Sequence, residues 1–213
     1  VKKLYDGVKV TKKSFGEIEK TGEVATLYTI TNKNGASVDL STFGATITSI
    51  KIPDKDGNLK DVTQGYDNVT PYEESPIGHA GGTIGPYANK ISGGSFTIAG
   101  KTYDLEKNKD NGQTHSHGGT QGFDVRNWKA TILKDGIKFT YIKPDMEIGY
   151  PGNVEASVTY KFDNDNKFIV VNGFKEIDIS SSMIRELIRN NNRDEVLKYL
   201  DTDIVDYINA RKN

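Results

Sequence analysis

The chain has 213 residues, of which 35% are hydrophobic and 27% are charged, and its 28 basic residues nearly balance 29 acidic ones. The formal net charge of -1 argues against a general nucleic-acid binder or a membrane-surface binder, because both classes need a clear excess of Lys and Arg. A chain of this length suffices for one large domain, or for one domain with a short appendage.

Cysteine is absent from the sequence, which excludes disulfides, thiolate metal sites and cysteine nucleophiles. No apolar run approaches the roughly 20 residues that a membrane span requires. Residues 1–6 (V-K-K-L-Y-D) lack the apolar core of a secretion signal. These features predict a soluble, cytoplasmic protein with no membrane partner.

Short alternating runs dominate the first 171 residues. They are bounded by turn-forming segments, such as residues 32–35 (N-K-N-G) and 53–57 (P-D-K-D-G). Two of the runs flank Ala99 and Gly100, an arrangement that predicts a hairpin. Many short strands, frequent turns and few helical stretches predict a mainly β protein, a β-sandwich. The runs are residues 25–31, 45–52, 95–98, 101–105, 137–142 and 154–162.

The pattern changes near Gly173. Hydroxyl side chains at residues 180–182 are typical helix caps, and apolar side chains then recur at helical spacing in three short stretches. We therefore predict a β-sandwich portion over residues 1–171 and a helical tail over 172–213, whose apolar face needs a surface to pack against. The apolar positions of the tail are Met183, Ile184, Leu187, Ile188, Val196, Leu197, Leu200, Ile204, Val205, Tyr207 and Ile208.

The three histidines of the chain are His79, His115 and His117. His115 and His117 share one face if their segment is extended, which would begin a metal site with His79 or a carboxylate as third ligand. The alternative is one solvent-exposed imidazole and one held by hydrogen bonds in a loop. Gly118 and Gly119 favour a functional loop, because glycines allow close approach of backbone and ligand.

A second candidate site is the glycine-rich segment 81–91 (G-G-T-I-G-P-Y-A-N-K-I). It places the amide of Asn89 beside the ammonium group of Lys90, a pair suited to a polyhydroxylated ligand whose oxygens both donate and accept. It is not a phosphate loop, because no G-K-[ST] follows it. The structural alternative is a glycine bulge. Trp128 and Tyr150 could stack on a sugar face or belong to the core.

Several motifs together resemble the aldose 1-epimerase (galactose mutarotase) family, in order from about residue 24 to about residue 169. Residues 84–91 (I-G-P-Y-A-N-K-I) are similar to the G-R-x-A-N-R-I stretch of that family. Residues 116–119 (S-H-G-G) and 122–128 (G-F-D-V-R-N-W) look like its L-H-G-G and G-F-D-x-R-x-W motifs, and residues 149–154 match G-Y-P-G-x-[LV]. Residues 44–50, 53–57, 61–62 and 65–67 resemble the first strands and turns of that family.

The resemblance implies part of a β-sandwich of the galactose mutarotase type that binds a free aldose and needs no cofactor and no metal. The family opens the hemiacetal ring with one acid and one base and recloses it as the other anomer. His117 falls on its sugar-contacting histidine, so the resemblance makes His117 the candidate catalytic residue. Asn89, Lys90 and Trp128 are the other candidate substrate-binding residues.

The chain also departs from the family pattern. Lys90 replaces an arginine and so loses the planar two-pronged donor, and Pro86 stands where the family usually has another arginine. No histidine follows His117, and the segments that carry the general-acid histidine and the glutamate base of the family are missing. Catalysis would then need a substitute base, and the acidic residues nearest the motifs in the sequence are Glu73, Glu74, Asp124 and Glu147.

The tail resembles the C-terminal end of nicotinate-nucleotide adenylyltransferases. Residues 177–185 (I-D-I-S-S-S-M-I-R) look like their I-S-S-[ST]-x-[IV]-R turn, in which hydroxyls and an arginine at a helix N-terminus hold phosphates. The N-terminal G-x-F-D-P-x-H-x-G-H motif of those enzymes is absent, so an ordinary capped helix is the alternative reading. The matching positions are Ser180, Ser181, Ser182 and Arg185.

Three functional hypotheses follow. The first is an aldose 1-epimerase-like protein that acts on the anomeric centre of a free hexose such as galactose or glucose. The second is an inactive carbohydrate-binding remnant. The third is a fragment that forms homo-oligomers through unpaired strand edges. The expected partner is a small-molecule aldose, with neither nucleic acid nor membrane.

Overall fold

Strands account for most of the regular structure in the computed structural model, which describes residues 2–3, 7–74, 78–176 and 190. The helical elements are α1 (Thr70–Glu74) and 3₁₀ turns at Phe123–Val125 and Glu147–Gly149. The strands are β1 (Lys2–Lys3), β2 (Lys9–Glu17), β3 (Val24–Thr31), β4 (Ser37–Ser41), β5 (Thr46–Pro53), β6 (Leu59–Asp61), β7 (Lys90–Ser92), β8 (Ser95–Ile98), β9 (Lys101–Asp104), β10 (Thr114–Ser116), β11 (Lys129–Ile132), β12 (Ile137–Lys143), β13 (Val154–Phe162) and β14 (Phe168–Glu176).

Two antiparallel sheets form the sandwich. The first has the strand order β1-β2-β3-β4-β5-β6, and the second has the order β11-β12-β13-β14. Neighbours in each sheet are also neighbours in the sequence, so short connections join them. The prediction of a mainly β sandwich is confirmed, and the predicted runs at 25–31, 45–52, 137–142 and 154–162 coincide with β3, β5, β12 and β13 to within one residue.

The core lies between the inner faces of these sheets because alternate residues of each strand point inward. In β13 every second residue is buried, and its side chains meet those of β3 and β4 in one apolar cluster. Tyr28 and Phe139 cross the interface edge to face with ring centroids 6.1 Å apart. The hydroxyl of Tyr160 donates to the carbonyl oxygen of Ala45 over 2.7 Å, which joins the second sheet to the β4–β5 connection.

Two further sheets have two strands each. Strands β8 and β9 pair as the predicted hairpin around Ala99 and Gly100. Strands β7 and β10 pair antiparallel, with Lys90 opposite Ser116 and Ile91 opposite His115. This second pairing brings residue 89 next to residue 117, although 28 positions separate Asn89 and His117 in the chain.

Among the described strands, β14 is an edge of the second sheet, since β13 is its one neighbour in the strand order. It runs through Asn172 and Gly173 to Glu176, past the boundary predicted near residue 172. The predicted helices beyond it, with Ser180, Ser181, Ser182 and Arg185, lie outside the described residues. No helix in the described part of the chain is both long enough and apolar enough to cross a membrane.

Candidate functional site

Asn89 and His117 are held together by two reciprocal hydrogen bonds. The N–H of His117 donates to the carbonyl oxygen of Asn89 over 3.0 Å, and the N–H of Asn89 donates to Nδ1 of His117 over 3.0 Å. Both residues adopt left-handed φ angles, 68° for Asn89 and 56° for His117. These bonds fix the imidazole of His117 in place on the backbone of the segment that carries Asn89 and Lys90.

His79 lies against His117 from the other side. The two imidazole rings have centroids 4.8 Å apart, and Nδ1 of His79 is 2.5 Å from Oδ2 of Asp124. The side chain of His79 is 41% exposed, whereas that of Asp124 is 10% exposed. The 3₁₀ turn Phe123–Val125 supplies this carboxylate directly after the glycine-rich loop that follows His117. A solvent-facing imidazole is thus held by a largely buried carboxylate.

His115 is a core residue with both ring nitrogens satisfied. It is 0% exposed, its Nδ1 lies 2.7 Å from the carbonyl oxygen of Glu106, and its Nε2 lies 2.8 Å from the hydroxyl of Tyr150. A carbonyl only accepts, so Nδ1 donates and Nε2 accepts from the tyrosine. Burial, together with nearby Tyr87, raises the pKa of Tyr150 to about 12, which keeps this donor protonated.

The shared face that a metal site at His115 and His117 would need is not formed. The left-handed φ of His117 breaks the extended alternation directly after β10, and the two imidazoles take separate sets of hydrogen-bond partners. Among residues 2–3, 7–74, 78–176 and 190, no three His, Asp or Glu side chains form a group that could hold a metal ion. The alternative for this pair was one solvent-exposed imidazole and one held by hydrogen bonds in a loop. His115 is buried and held by hydrogen bonds, whereas His117 is half-buried and also accepts a hydrogen bond.

The two glycines after His117 are required by backbone packing. A Cβ at Gly118 would lie 1.9 Å from the carbonyl oxygen of Gly85, and a Cβ at Gly119 would lie 2.4 Å from Oε2 of Glu106. That carboxylate accepts from the N–H of Thr120 over 2.7 Å. The glycines therefore let the loop pack against Gly85 and against the carboxylate of Glu106.

The structure brings Asn89 into contact with His117, places Lys90 opposite Ser116 in the adjoining strand pair, and packs Trp128 in the core. Lys90 Nζ is 2.9 Å from Oδ2 of Asp110 in an exposed ion pair. Trp128 is 2% exposed, and its indole N–H donates to the carbonyl oxygen of Phe123 over 2.8 Å. The indole packs between Phe123 and Tyr141 in the core. Its position fits core packing, the alternative to sugar stacking.

A mainly apolar cavity of about 510 Å³ lies beside the histidine cluster, which is formed by His79, His117 and Asp124. Trp128 contributes to its wall, as do Gly82 and Pro86 from the segment that precedes Asn89. Gly82 also adjoins the histidine cluster, since a Cβ there would lie 3.2 Å from Cβ of Asp124. The other lining residues are Ile47, Gly81, Thr83, Ile84, Phe123, Ala156, Ser157, Val158, Tyr160, Val170, Asn172, Gly173 and Phe174.

The four acidic residues named as substitute bases differ in their surroundings. Glu73 accepts from the backbone N–H of Glu19 over 3.0 Å. Glu147 accepts from the hydroxyl of Tyr141 over 2.7 Å and pairs with Arg126 at 3.3 Å. Glu74 is exposed at the end of α1. Of the four, Asp124 is the one that contacts a histidine.

The pairing of His79 with Asp124 could not be predicted from the sequence, in which the two residues are candidates for different roles. They are 45 positions apart, so no local spacing connects them. The one hint in the sequence was weak: a Gly-Gly pair lies shortly after His79, at residues 81–82, and another directly after His117, at residues 118–119. The segment after His117 was predicted to be functional, and His79 was predicted only as a possible third ligand of a metal site.

A sequence model of the aldose 1-epimerase family matches residues 26–178. The chain belongs to the aldose 1-epimerase family. The match covers the motifs that carry Asn89, His117 and Asp124, and it confirms the resemblance read from the sequence.

Named relatives in this family are galactose mutarotases and aldose 1-epimerases. Rat galactose mutarotase is 34% identical over 166 residues, which are 78% of this chain and 46% of that protein. Human galactose mutarotase is 36% identical over 155 residues, covering 72% of this chain and 44% of the human protein. The Escherichia coli aldose 1-epimerase is 33% identical over 150 residues. The chain thus spans about half the length of the curated relatives it matches.

Solved structures of the family share the fold. A GalM/aldose epimerase homologue from Caenorhabditis elegans superposes with a TM-score of 0.65 at 27% identity, covering 71% of this chain and 46% of that one. Galactose 1-epimerase from Lactobacillus acidophilus gives a TM-score of 0.64 at 22% identity, covering 79% and 49% of the two chains. Because the Lactobacillus acidophilus protein is only 22% identical, its similarity supports the fold alone.

Proposed function

We propose that this chain binds a free hexose at the face formed by His117, Asn89 and Lys90 and interconverts its α and β anomers. The proposal is supported by membership of the aldose 1-epimerase family and by named relatives that are galactose mutarotases. The observation that carries it is the pair of adjacent imidazoles of His79 and His117, 4.8 Å apart, one of them held by Asp124.

The chemistry of anomer interconversion needs these kinds of groups and no cofactor. Opening a hemiacetal removes a proton from the C1 hydroxyl and adds one to the ring oxygen, and both transfers require a group at hydrogen-bond distance. Imidazole is suited to both, because its ordinary pKa lies near neutrality. The ammonium of Lys90 and the amide of Asn89 offer donors and an acceptor to the remaining hydroxyls.

Trp128 is the fourth proposed substrate-binding residue, and its role differs from those of the polar three. It reaches the wall of the apolar cavity, which adjoins the histidine cluster at Gly82. Because the indole is 2% exposed and its N–H is already bonded, we propose that it supports the shape of the site from within the core.

Polarimetry on freshly dissolved α-D-galactose and α-D-glucose tests the activity. We expect the optical rotation to reach equilibrium faster with the protein than in buffer, and His117→Gln to reduce the acceleration at sugar concentrations below KM, because it removes a contact that binds the sugar. Asp56→Asn, in the exposed turn after β5, is the matched control and should keep the wild-type rate. A wild-type trace that coincides with the buffer trace would rule out turnover by this chain.

If the protein does not accelerate anomer interconversion, the alternative is a protein that binds carbohydrate without converting it. The contacts that would bind the sugar, at Asn89, Lys90 and His117, do not depend on proton transfer. Saturation-transfer NMR with galactose and glucose distinguishes the cases: transfer to sugar protons that His117→Gln weakens would support binding alone. Absence of transfer would contradict both carbohydrate proposals.

Self-association through β14 is a further candidate, favoured by the exposure of apolar side chains on that edge strand. Val171 is 52% exposed and Phe174 is 65% exposed. No described strand pairs with the outer edge of this nine-residue strand, and such an edge is a ready template for strand pairing. Size-exclusion chromatography with light scattering measures the oligomeric state. We expect a dimer that Phe174→Lys converts to monomer, and a monomeric wild type would exclude this proposal.

We also propose a cytoplasmic location. The sequence contains no cysteine, a composition compatible with a reducing compartment, where disulfides are rare. Fractionation of source cells with an antibody against this chain would test the proposal. Recovery of the protein outside the cytoplasm would contradict it.

A further inference from the structure

The two imidazoles of the cluster hold their protons on different nitrogens. An ionised carboxylate can only accept hydrogen bonds, so Nδ1 of His79 must carry the proton that it shares with Asp124 over 2.5 Å. In the neutral ring this leaves a lone pair on Nε2. No described residue donates to that nitrogen, and the side chain is 41% exposed. Nε2 of His79 is therefore available to accept a proton from a bound molecule.

His117 has the opposite arrangement. A backbone N–H can only donate, so Nδ1 of His117 accepts from Asn89 over 3.0 Å and carries no proton. In the neutral ring the proton then lies on Nε2, where it can be donated in a hydrogen bond. The lone pair of this imidazole is already used, and neutral His117 cannot take a proton from a sugar hydroxyl without first losing the bond to Asn89.

We propose that His79, held by Asp124, is the proton-transferring residue of the site and that His117 is a hydrogen-bond donor that orients the sugar. This inference rests on the proposed anomer interconversion and assigns its acid–base group. Asp124 is a positioning residue, because it acts through His79: it fixes the tautomer and stabilises the imidazolium that forms. A His–Asp pair used in this way recurs on unrelated folds.

The proposed step balances with one imidazole. Nε2 of His79 takes the proton from the C1 hydroxyl, the electron pair of that O–H bond becomes the second bond of C1=O, and the C1–O5 bond breaks with its electron pair on O5. The ring oxygen then takes the proton back from Nε2 of His79. Both oxygens are bonded to C1, so a single nitrogen can reach each in turn. Rotation about C1–C2 and the reverse steps close the ring as the other anomer, and no net proton is consumed.

The geometry around Asp124 supports a dedicated role for this carboxylate. Gly82 leaves no side chain beside it, and a Cβ there would lie 3.2 Å from Cβ of Asp124 and 3.4 Å from the carbonyl oxygen of His79. The N–H of Gly82 donates to that same carbonyl over 3.1 Å. The backbone that carries His79 is thus fixed by a turn while its imidazole faces solvent.

Polarimetric kinetics on variants test the assignment. We expect His79→Ala to lower kcat by about 100-fold or more, the range of a lost general acid–base group, with KM little changed. His117→Gln should act mainly on KM. Added imidazole should restore part of the rate to His79→Ala but none to His117→Gln, after subtraction of the rate that imidazole gives without protein. A wild-type rate in His79→Ala, beside an active wild-type chain, would overturn the inference and leave the proposed function intact.

A second test does not depend on activity, since the chain contains three histidines in all. Long-range ¹H–¹⁵N correlation spectra of histidine-labelled protein at about pH 8.5, where an ordinary imidazole is neutral, report the tautomer of each ring. We expect the proton on Nδ1 in His79 and on Nε2 in His117. Asp124→Asn should shift His79 toward the other tautomer and lower kcat, whereas Asp56→Asn should do neither. The proton on Nε2 of His79 in the unaltered chain would overturn the assignment, whatever the polarimetry gives.

Discussion

Replacing Gly118 by alanine tests whether the loop after His117 is held by a backbone contact. Gly118 has a φ of 85°, and an added Cβ would lie 1.9 Å from the carbonyl oxygen of Gly85. Gly112 is the matched control, because its φ is 75° and an added Cβ would meet nothing within 4 Å. Both substitutions incur the cost of a left-handed alanine, and the first alone incurs the clash.

The magnitudes follow from these two terms. A left-handed conformation costs an alanine about 1 kcal/mol, which is the full expected loss for Gly112→Ala. In Gly118→Ala the contact with Gly85 must open by at least about 1 Å to reach van der Waals separation. Overpacking of this kind costs about 1–3 kcal/mol or more. We therefore expect Gly118→Ala to lower the free energy of unfolding by roughly 3 to 4 kcal/mol in total.

Urea denaturation followed by the fluorescence of Trp128 measures the difference. With a slope of about 2 kcal/mol/M, the midpoint should fall by about 0.5 M for Gly112→Ala and by about 1.5–2 M for Gly118→Ala. The slope itself should stay unchanged. Equal midpoint shifts in the two variants would show that the backbone of Gly85 does not pack against this loop.

Two further changes probe the sandwich. Lys143→Met should lower the free energy of unfolding by about 3 kcal/mol, because the 1% exposed Lys143 donates to three backbone carbonyls of residues 144–152 over 2.8–2.9 Å. Lys161→Met is the control: it removes an exposed ion pair and should lower the free energy of unfolding by less than about 1 kcal/mol. Urea melts measure both losses, and equal losses would contradict this account. Burial alone would raise the pKa of Asp61, but hydrogen bonds from two hydroxyls and two backbone N–H groups lower it to about 2. A depressed carboxyl pKa stabilises the fold above the unfolded value of about 3.9, so this contribution, about 1 kcal/mol after solvent screening, should be lost as the pH falls from about 4 to about 2. Asp61→Asn should flatten that part of the stability curve, and parallel curves for the two proteins would refute the assignment.

The strands were predictable because their signal is local. A period of two in residues 154–162 is visible in the sequence, and β13 begins and ends at those residues. The hairpin around Gly100 was predictable for the same reason, since a tight turn restricts the residues that can form it. The end of β14 was harder to place, because Asn172 and Gly173 read as a break but pair with Val158 and Ser157. Pairing with a neighbouring strand outweighed the low strand propensity of these two residues.

Within the candidate site, the sequence could place side by side only those residues that one motif holds. Asn89 and Lys90 are adjacent in the sequence, and the pairing of β7 with β10 brings them to His117. The functions of the histidines could not be read in the same way. His115 and His117 look equivalent in the sequence, yet one is fully buried against Tyr150 and the other faces His79.

The strand pattern and the motifs that indicate the family could be read from the amino-acid sequence, because each strand or motif depends on neighbours within about ten positions. Tertiary structure alone decided which imidazole meets which partner. Asp124 and His79 come together through packing of Gly82 and the 3₁₀ turn, and Asn89 reaches His117 through a strand pair. The position of a proton on an imidazole depends on what the other ring nitrogen contacts, so the assignment of acid–base roles became possible only in the folded chain.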